Sequence, residues 1–389
     1  MQGAPIPASK TSRPRVVILR GHQANPWELA PWQEPALAEQ FEVSYLRSRS
    51  NWFDTSGLTL RDPRALTLRD LLPPGRVGDL AVRVPGDRYL RLARQLRGAD
   101  IVHAQELGNW YSQQAARLRH NLGFTLVLTV WETLPFLDAY RNVRTRPYRR
   151  RVLAQTDLFL AATERARSAL LLEGAPPERI RVCPPGVDVQ RFAGVGSSGL
   201  DGPTILAPAR LVWEKGHHDI LRALALMRHD AGRLGAAAPR LVIVGRGPEE
   251  RRLREHASEL GIGEQVEFRG FVPYEAMPAL YAGATCLVLA SLPTQYWEEQ
   301  FGMVLAEAMA CGLPIVASDS GAIPEVTAGN ADLYAPGDWV GLAALLAEVL
   351  QREASERERI TRYSTTAAAD GIAAAYGEAL ARRSSISRR

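Results

Sequence analysis

Residues 204–227 read TILAPARLVWEKGHHDILRALALM, and this stretch decides the fold class. A short apolar run, Thr204–Ala207, is followed by a loop with Arg210, and a helical pattern then extends from Lys215 to Met227. Short β-branched runs that alternate with longer helical patterns are typical of α/β proteins with parallel sheets. The same unit recurs along the chain, so we expect an α/β fold.

Twelve apolar runs predict strands, six on each side of a Pro/Gly/Ser-rich break between residues 184 and 202. They are Arg15–Leu19, Glu42–Leu46, Asp100–His103, Thr125–Val130, Leu158–Ala161, Arg181–Cys183, Thr204–Ala207, Arg240–Val244, Gln265–Arg269, Cys286–Ala290, Pro314–Ala317 and Ala331–Tyr334. A chain of 389 residues exceeds what one core usually serves. The pattern predicts two doubly wound, Rossmann-like domains.

The predicted domain boundaries follow the break. We expect a disordered N-terminus at residues 1–13, a first domain at 14–190 and a second domain at 191–363. A helical pattern at about 364–383 predicts a C-terminal helix that packs back on the first domain.

Composition excludes several classes of protein. Apolar stretches such as Thr125–Val130 are far shorter than the roughly 18–20 residues that a membrane span needs. The N-terminal residues have no apolar core of a signal peptide. Cys183, Cys286 and Cys311 are too few and too scattered for a zinc site or a disulfide framework. The expectation is a cytoplasmic enzyme, with peripheral attachment to the inner membrane face left open.

Charge is distributed unequally along the chain. Residues 1–190 carry 27 Arg and Lys against 18 Asp and Glu, whereas residues 191–389 carry 20 against 24. This predicts that the first domain meets an anionic partner, although no motif of a nucleic-acid binder is present. The chain has only two lysines, Lys10 and Lys215, so arginine fills the generic surface roles. An isolated Lys215 inside the folded region therefore indicates a specific role.

The stretch EEQFGMVLAEAMACGLPIVAS, residues 298–318, combines two carboxylates with a helix start. Glu299 lies in the loop before the helix and Glu307 lies inside it, with Phe301 and Gly302 between them. The free N–H groups at a helix N-terminus bind anions, and glycine lets a ligand approach the backbone closely. A surface helix capped by acidic residues explains the spacing equally well.

Two further patterns follow strands of the second domain. Arg210 and Lys215, five residues apart, can clamp a pyrophosphate, although two solvated cations are the simpler explanation. In LVIVGRGPEERRL, Gly245 and Gly247 form a GxG pair, but Glu250 stands where a dinucleotide fingerprint needs its third glycine. A nicotinamide-dependent enzyme is therefore weakly supported.

The first domain offers weaker signals. His103 lies at the end of a predicted strand with Glu106 just beyond it, a position at which a lone histidine is more often structural than functional. The loop after the first strand contains Asn25 and Trp27, which suit contact with an acceptor. Six arginines between Arg141 and Arg151 suit an anionic membrane or a lipid phosphate, or form an ordinary solvated helix face.

Taken together, these motifs resemble the retaining glycosyltransferases of family four, which have the GT-B fold. The resemblance is specific from about Val182 to Gly337. It rests on PPGVDVQRF (184–192), the R-x4-K pair, VGxGP, FRGFVPYEAMPALYAGA (268–284) and the E-x7-E pair, and is weaker in VHAQE of the first domain. It implies two Rossmann-like domains that face each other across a cleft.

The resemblance also implies roles for individual residues. Arg210 and Lys215 would hold the donor diphosphate, Glu307 the ribose, and Glu299 with the backbone of Phe301 and Gly302 the transferred sugar. Phe271 and Val272 would frame the base, with Gly245 and Met303 completing the donor site. The implied catalytic residues are His103, Glu299, Arg210 and Lys215, with His103 meeting the sugar from the opposite domain. On the acceptor side we place Gly21, Asn25, Trp27, Glu106, Trp131 and Glu132.

Two positions depart from the family pattern. The loop RGHQANP has only Gly21 where family members often carry two glycines, and Gln105 stands in place of a second histidine. Both positions leave the identity of the acceptor open.

The predicted function is transfer of a hexose, with retention, from a nucleoside diphosphate sugar to a hydroxyl of a glycan, a lipid-linked acceptor or a small molecule. No Asp-x-Asp metal motif stands in the expected place, so we expect neither a metal nor a cofactor. The hypothesis is front-side attack, in which the leaving phosphate oxygen accepts the acceptor proton. A nucleotide-sugar epimerase of the same fold and a non-catalytic module that binds sugar nucleotides or membranes remain as alternatives.

Overall fold

The computed structural model describes residues 13–73, 75–82, 86–137, 145–193, 200, 202–234, 239–352 and 359–387. Backbone proximity divides the chain into two compact units. The first unit comprises Met1–Thr129, Pro147–Leu160 and Ala369–Arg389, and the second comprises Val130–Arg146 and Ala161–Ala368, each as far as it is described. The predicted disordered terminus lies outside the described residues except for Arg13.

Each sheet has six strands, and all the strand pairs that the structure defines in register are parallel. The first sheet has the order β2-β1-β3-β4-β5-β6. Its strands are β1 (Arg15–Gly21), β2 (Glu42–Arg47), β3 (Ile101–Gln105), β4 (Thr125–Val130), β5 (Leu158–Ala161) and β6 (Ile180–Val182).

The second sheet has the order β12-β11-β10-β7-β8-β9. Its strands are β7 (Thr204–Pro208), β8 (Arg240–Val244), β9 (Val266–Phe268), β10 (Cys286–Leu289), β11 (Ile315–Ser318) and β12 (Asp332–Tyr334). The chain runs outward from β7 to β9 and then returns to the other side of β7. In such sheets a ligand binds at the carboxyl ends of the strands where the order reverses, which here is between β7 and β10.

Helices connect the strands. They are α1 (Pro26–Leu29), α2 (Pro35–Ala38), α3 (Arg76–Val82), α4 (Leu92–Gln95), α5 (Trp110–Leu122), α6 (Arg146–Gln155), α7 (Glu164–Leu172), α8 (Val189–Phe192), α9 (His217–Leu234), α10 (Glu250–Glu259), α11 (Met277–Gly283), α12 (Met303–Cys311), α13 (Ile323–Thr327), α14 (Trp339–Gln351) and α15 (Thr365–Ser387). Short 3-10 turns precede some of them, among others Trp213–Lys215 before α9 and Tyr274–Ala276 before α11.

The core of the second unit explains why its strands are recognisable in the sequence. Alternate residues of β7 face opposite sides of the sheet, so Ile205 packs in one apolar cluster and Leu206 in the other. A parallel sheet covered on both faces has near-continuous apolar strands. All twelve predicted strands are present, with ends that differ by at most two residues from the prediction. The predicted α/β fold with two parallel sheets is confirmed.

Candidate active site

Glycines bring the backbones of three loops of the second unit together. Gly216 has φ +64°, and a Cβ added there would lie 1.9 Å from the carbonyl oxygen of Ala290, just beyond β10. Gly245 has φ +144°, and its added Cβ would lie 2.0 Å from the carbonyl oxygen of Ala209. Any side chain at either position would collide with backbone. The loops after β7, β8 and β10 therefore meet at the point where the strand order reverses.

Lys215 and Glu299 form an ion pair at this point. The Nζ of Lys215 lies 2.6 Å from Oε2 of Glu299, and both side chains are buried. Ser291 Oγ donates to the same carboxylate oxygen at 2.5 Å, and Nζ lies 4.7 Å from the centre of the Trp297 ring. The prediction that Lys215 opens a helix is wrong by two residues. Lys215 is the last residue of a 3-10 turn. Gly216 then adopts the left-handed conformation, which separates this turn from α9, and α9 begins at His217.

The loop that contains Glu299 is held on both sides. Glu298 accepts two hydrogen bonds from the Arg165 guanidinium, at 2.5 and 2.7 Å. The carbonyl of Glu299 accepts from the Ala322 N–H at 2.8 Å. A paired carboxylate and a paired backbone carbonyl fix the direction in which the Glu299 side chain points. The position of this carboxylate is therefore built into the fold.

Helix α12 begins beside Glu299 without a side-chain cap. Its N-cap is Gly302, with φ +78°, and the Leu305 N–H turns back to the Gly302 carbonyl at 2.8 Å. The N–H groups of Met303 and Val304 precede it in the first turn, where a helix offers no carbonyl partner. The dipole of the helix also favours an anion at this end. The helix start that the sequence indicated is thus uncapped, and the binding of an anion there stays a prediction.

The Phe301 side chain is buried rather than turned toward a ligand. Its ring meets Trp131 and Tyr363 edge-on, with centroid distances of 6.1 and 5.1 Å. Only its backbone remains for the predicted contact with a sugar. We predicted Trp131 for the acceptor side, whereas the structure packs it against Phe301 within the second unit. The indole thus packs beside a buried aromatic ring, and its contact with an acceptor stays a prediction.

Glu307 is a buried carboxylate on α12. Tyr281 Oη donates to its Oε2 at 2.5 Å. Burial raises the pKa of Glu307 to about 7, and the Tyr281 hydrogen bond opposes that rise only in part. The side chain therefore exchanges its proton near neutral pH, and a ligand hydroxyl that donates to it would favour the charged form.

The remaining predicted donor residues lie at the ends of β7 and β9. The Arg210 side chain is 65% exposed, and its nearest acidic atom is Glu214 Oε1 at 4.0 Å, so its charge is available to a ligand. Phe271 is 59% exposed, whereas Val272 packs against the apolar core. Val272 can therefore offer a ligand its backbone, and Phe271 can offer its ring.

The His103 side chain is buried in the first unit, where both of its ring nitrogens have hydrogen-bond partners. Its Nδ1 lies 2.6 Å from the Tyr376 hydroxyl, which also accepts from Trp32 Nε1 at 2.9 Å. Its Nε2 lies 2.7 Å from Thr129 Oγ1. The ring is fully buried, and burial lowers its pKa well below the usual range. This geometry leaves His103 no free nitrogen for a sugar and does not support the predicted contact.

Other residues that we predicted for the acceptor side also make local structural contacts. Asn25 is buried and caps α1, because its Oδ1 accepts the Glu28 N–H at 2.8 Å. The Gly21 N–H donates to the Tyr89 hydroxyl at 2.7 Å. Trp27 meets Phe53 edge-on at 5.2 Å. Two acidic residues complete the set, Glu106 with φ +62° and Glu132, whose Oε1 accepts the Leu134 N–H at 2.9 Å.

Two groups at strand ends were not singled out from the sequence. After β1, His22 Nδ1 lies 3.1 Å from Asp87 Oδ2, and its ring lies 4.2 Å from the exposed Trp52. After β8, the exposed Arg246 lies beside Phe271. Only the second had a sequence signal, since Arg246 is the variable residue of the VGRGP motif.

No group of three or more His, Cys, Asp and Glu side chains in the part of the chain that the structure describes could hold a metal ion. No described helix is long and apolar enough to cross a membrane.

The fold and the site define a GT-B protein whose second unit presents two cations, the paired Lys215 and the exposed Arg210, at the point where the strand order reverses. Three solved structures share the fold. The lipopolysaccharide outer core galactosyltransferase WaaB, 19% identical, has a TM-score of 0.65 and covers 94% of this chain and 99% of its own. Anabaena HepE in complex with UDP-glucose, 18% identical, has a TM-score of 0.64 with 96% and 98% covered. A putative UDP-N-acetylglucosamine 2-epimerase from Listeria monocytogenes, 16% identical, has 0.67 with 95% and 98%.

The chain belongs to the glycosyl transferases of group 1. The model "Glycosyl transferases group 1" matches residues 192–367, and "Glycosyltransferase Family 4" matches residues 36–191. D-inositol 3-phosphate glycosyltransferase of Nocardia farcinica is 31% identical over 74% of this chain and 68% of the relative. GDP-mannose-dependent alpha-(1-6)-phosphatidylinositol monomannoside mannosyltransferase of Mycolicibacterium smegmatis is 34% identical over 45% and 48%. The match spans about half to two thirds of such relatives. The expected family is confirmed.

Proposed function

We propose that this chain transfers a hexose from a nucleoside diphosphate sugar to a hydroxyl acceptor, with retention and without a metal. The observation that carries the proposal is the buried Lys215–Glu299 pair at the reversal point of the second sheet. It lies beside a helix that begins at an uncapped glycine, Gly302. Several relatives are named for glycosyl or mannosyl transfer, which supports the same class of reaction.

The chemistry follows from where charge develops. When the bond between sugar and phosphate breaks, negative charge grows on the departing diphosphate and positive character on the sugar. Lys215, Arg210 and the first turn of α12 supply fixed positive potential for that diphosphate, which is the task a metal performs elsewhere. Glu299 is held beside Lys215 and orients the ammonium. Front-side attack then lets the leaving phosphate oxygen take the acceptor proton.

Incubation with a panel of nucleoside diphosphate hexoses and a panel of hydroxyl acceptors (glycans, lipid-linked sugars and small polyols), with and without EDTA, tests the proposal. We expect release of one nucleoside diphosphate, unchanged by EDTA, and a product whose anomeric configuration by NMR equals that of the donor. Inhibition by EDTA would contradict metal independence, and an inverted product would contradict retention. Turnover of the sugar nucleotide to an isomer without any acceptor would instead establish an epimerase.

We further propose that the acceptor is presented at an anionic surface. The Arg141–Arg151 run is described only from 145 onward, because residues 141–144 lie outside the described set. On α6, Arg146, Arg150 and Arg151 are exposed, whereas Arg149 is buried. Three of the four arginines of this run that the structure describes are therefore exposed. Co-sedimentation with phosphatidylglycerol vesicles, compared with phosphatidylcholine vesicles, tests this contact, and equal binding to both would contradict it.

A further inference from the structure

The turns after β8 and β9 place an arginine beside an exposed aromatic ring. The Gly245 N–H donates to the Gly270 carbonyl at 2.7 Å, which ties the two turns together. Each of these glycines has a positive φ and is followed directly by a large side chain, Arg246 or Phe271. The Arg246 guanidinium carbon lies 6.0 Å from the centre of the Phe271 ring.

Both side chains are exposed, and neither packs in the apolar core. Phe271 exposes more than half of its surface, although burying such a ring would favour folding. Arg246 is exposed, and no carboxylate of the described residues lies within 4.0 Å of it. Neighbouring arginines differ. Arg269 pairs with Glu267 at 2.6 Å, and Arg254 pairs with Glu250 at 2.9 Å.

The pair lies next to the cations assigned to the diphosphate. The Arg246 carbonyl accepts the Leu211 N–H at 3.0 Å, so its turn is attached to the loop that carries Arg210. On the other side, Tyr274 follows Phe271 by three residues, and burial together with the Glu307 carboxylate raises the pKa of its hydroxyl. A ligand that spans Arg210 and Glu307 would thus place its remaining end near Arg246 and Phe271.

We propose that Arg246, beside the Phe271 whose backbone the family resemblance already places at the base, selects guanine, so that the donor is a guanosine diphosphate sugar. An aromatic ring and a guanidinium plane both stack on a base. The guanidinium fork donates two hydrogen bonds to two adjacent acceptors, which guanine presents as O6 and N7. Adenine presents a donor beside N7, and uracil presents an N–H beside O4. This inference rests on the proposed donor site.

Calorimetric titration of GDP, UDP and ADP into the intact chain tests the proposal. We expect GDP to bind the wild type at least about 10-fold more tightly than the other two, because one bidentate contact supplies discrimination of that order. Arg246→Ala should weaken GDP by about 10- to 100-fold and leave UDP and ADP nearly unchanged. Phe271→Ala should weaken all three. The matched control is Arg251→Ala, an exposed arginine on α10, which should change nothing.

The outcomes separate this inference from the proposed function. Tighter binding of UDP or ADP by the wild type, or a GDP preference that survives Arg246→Ala, would overturn the guanine assignment. In either case, loss of nucleotide affinity in Lys215→Ala would still support the donor site. If no nucleotide binds, or if Lys215→Ala binds like the wild type, the donor site itself is wrong and the base assignment falls with it. Thermal melts of Arg246→Ala and Phe271→Ala should match the wild type, since both side chains are exposed.

Discussion

The polar residues that follow β7 and β10 in the second unit differ in one respect from those in β3 and after β1 in the first. In the second unit, Lys215 and Glu299 pair with each other at the strand reversal, where the Lys215 ammonium and the first turn of α12 lie side by side. In the first unit, Asn25 caps a helix, and both ring nitrogens of His103 are hydrogen-bonded inside the core. A polar residue at a strand end is therefore a good indicator of a ligand site only where the local structure does not already need it.

The largest expected effect is on catalysis by the second unit. Replacing Lys215→Ala removes the positive charge that faces the leaving diphosphate, and turnover should fall by about 100- to 1,000-fold. Nucleoside diphosphate release measures the rate, with circular dichroism as the check on folding. Arg251→Ala, an exposed cation away from the site, serves as the control. Wild-type turnover in folded Lys215→Ala would show that the second unit does not use this charge in catalysis, and would contradict our view of that unit.

The next effect concerns how the loops are brought together. Gly216→Ala forces a Cβ into the Ala290 carbonyl and should lower the free energy of unfolding by about 2–4 kcal/mol. Gly337→Ala is the matched control, because Gly337 has φ +83° but nothing within 4 Å of its added Cβ. Chemical denaturation compares the two. Equal losses would show that φ strain alone, and not the close approach of backbones, governs Gly216.

A third test concerns His103 in the first unit. His103→Ala leaves the hydroxyls of Tyr376 and Thr129 without their partner and should cost about 2–3 kcal/mol of stability. Exposed His120→Ala should cost nothing measurable. If His103 is instead a group that touches the sugar, His103→Ala would keep its melting temperature and lose turnover, which would reverse our view of this unit.

Protonation of His103 gives the same residue a pH signature. Because its pKa in the folded chain is far below that in the unfolded chain, the unfolded chain takes up the proton first. Stability is therefore fully present above pH 6.5 and is lost as pH falls below it. His103→Ala should flatten this acid limb of the melting temperature, and an unchanged limb would contradict the assignment.

The smallest expected effect is the pH dependence of stability that Glu307 causes. Its sign is opposite to that of His103, because stability is lost as pH rises. Its pKa is raised from 4.5 to about 7, so the unfolded chain ionises first as pH rises. Its contribution is favourable below pH 4.5 and is lost up to about pH 7, by on the order of 1–3 kcal/mol. Glu307→Gln should therefore be more stable than the wild type at pH 8 but not at pH 4.5. Equal differences at both pH values would contradict a buried carboxylate.

The sequence predicted the strands well, but it did not predict which polar side chains are available to a ligand. Strands were readable because a sheet covered on both faces needs near-continuous apolar residues, as in Ile205 and Leu206. Gly302 before α12 and the isolated Lys215 lie at the strand reversal, and the donor site that the sequence indicated there stays a prediction. The hydrogen-bond duties of Asn25 and His103 depend on residues far away in the chain, such as Tyr376, and no local pattern reports them. Arg246 was passed over because the motif treats its position as variable.

The most direct test of the central claim is hydrogen–deuterium exchange of the intact chain with and without a nucleoside diphosphate that calorimetry shows to bind. We predict slower exchange in peptides that cover residues 209–217 and 298–305, where backbone N–H groups and cations meet at the reversal of the second sheet. Peptides that cover residues 21–28 should exchange as before. Protection confined to the first unit, with exchange at residues 298–305 unchanged, would contradict the donor site that we assign to Lys215, Glu299 and the start of α12.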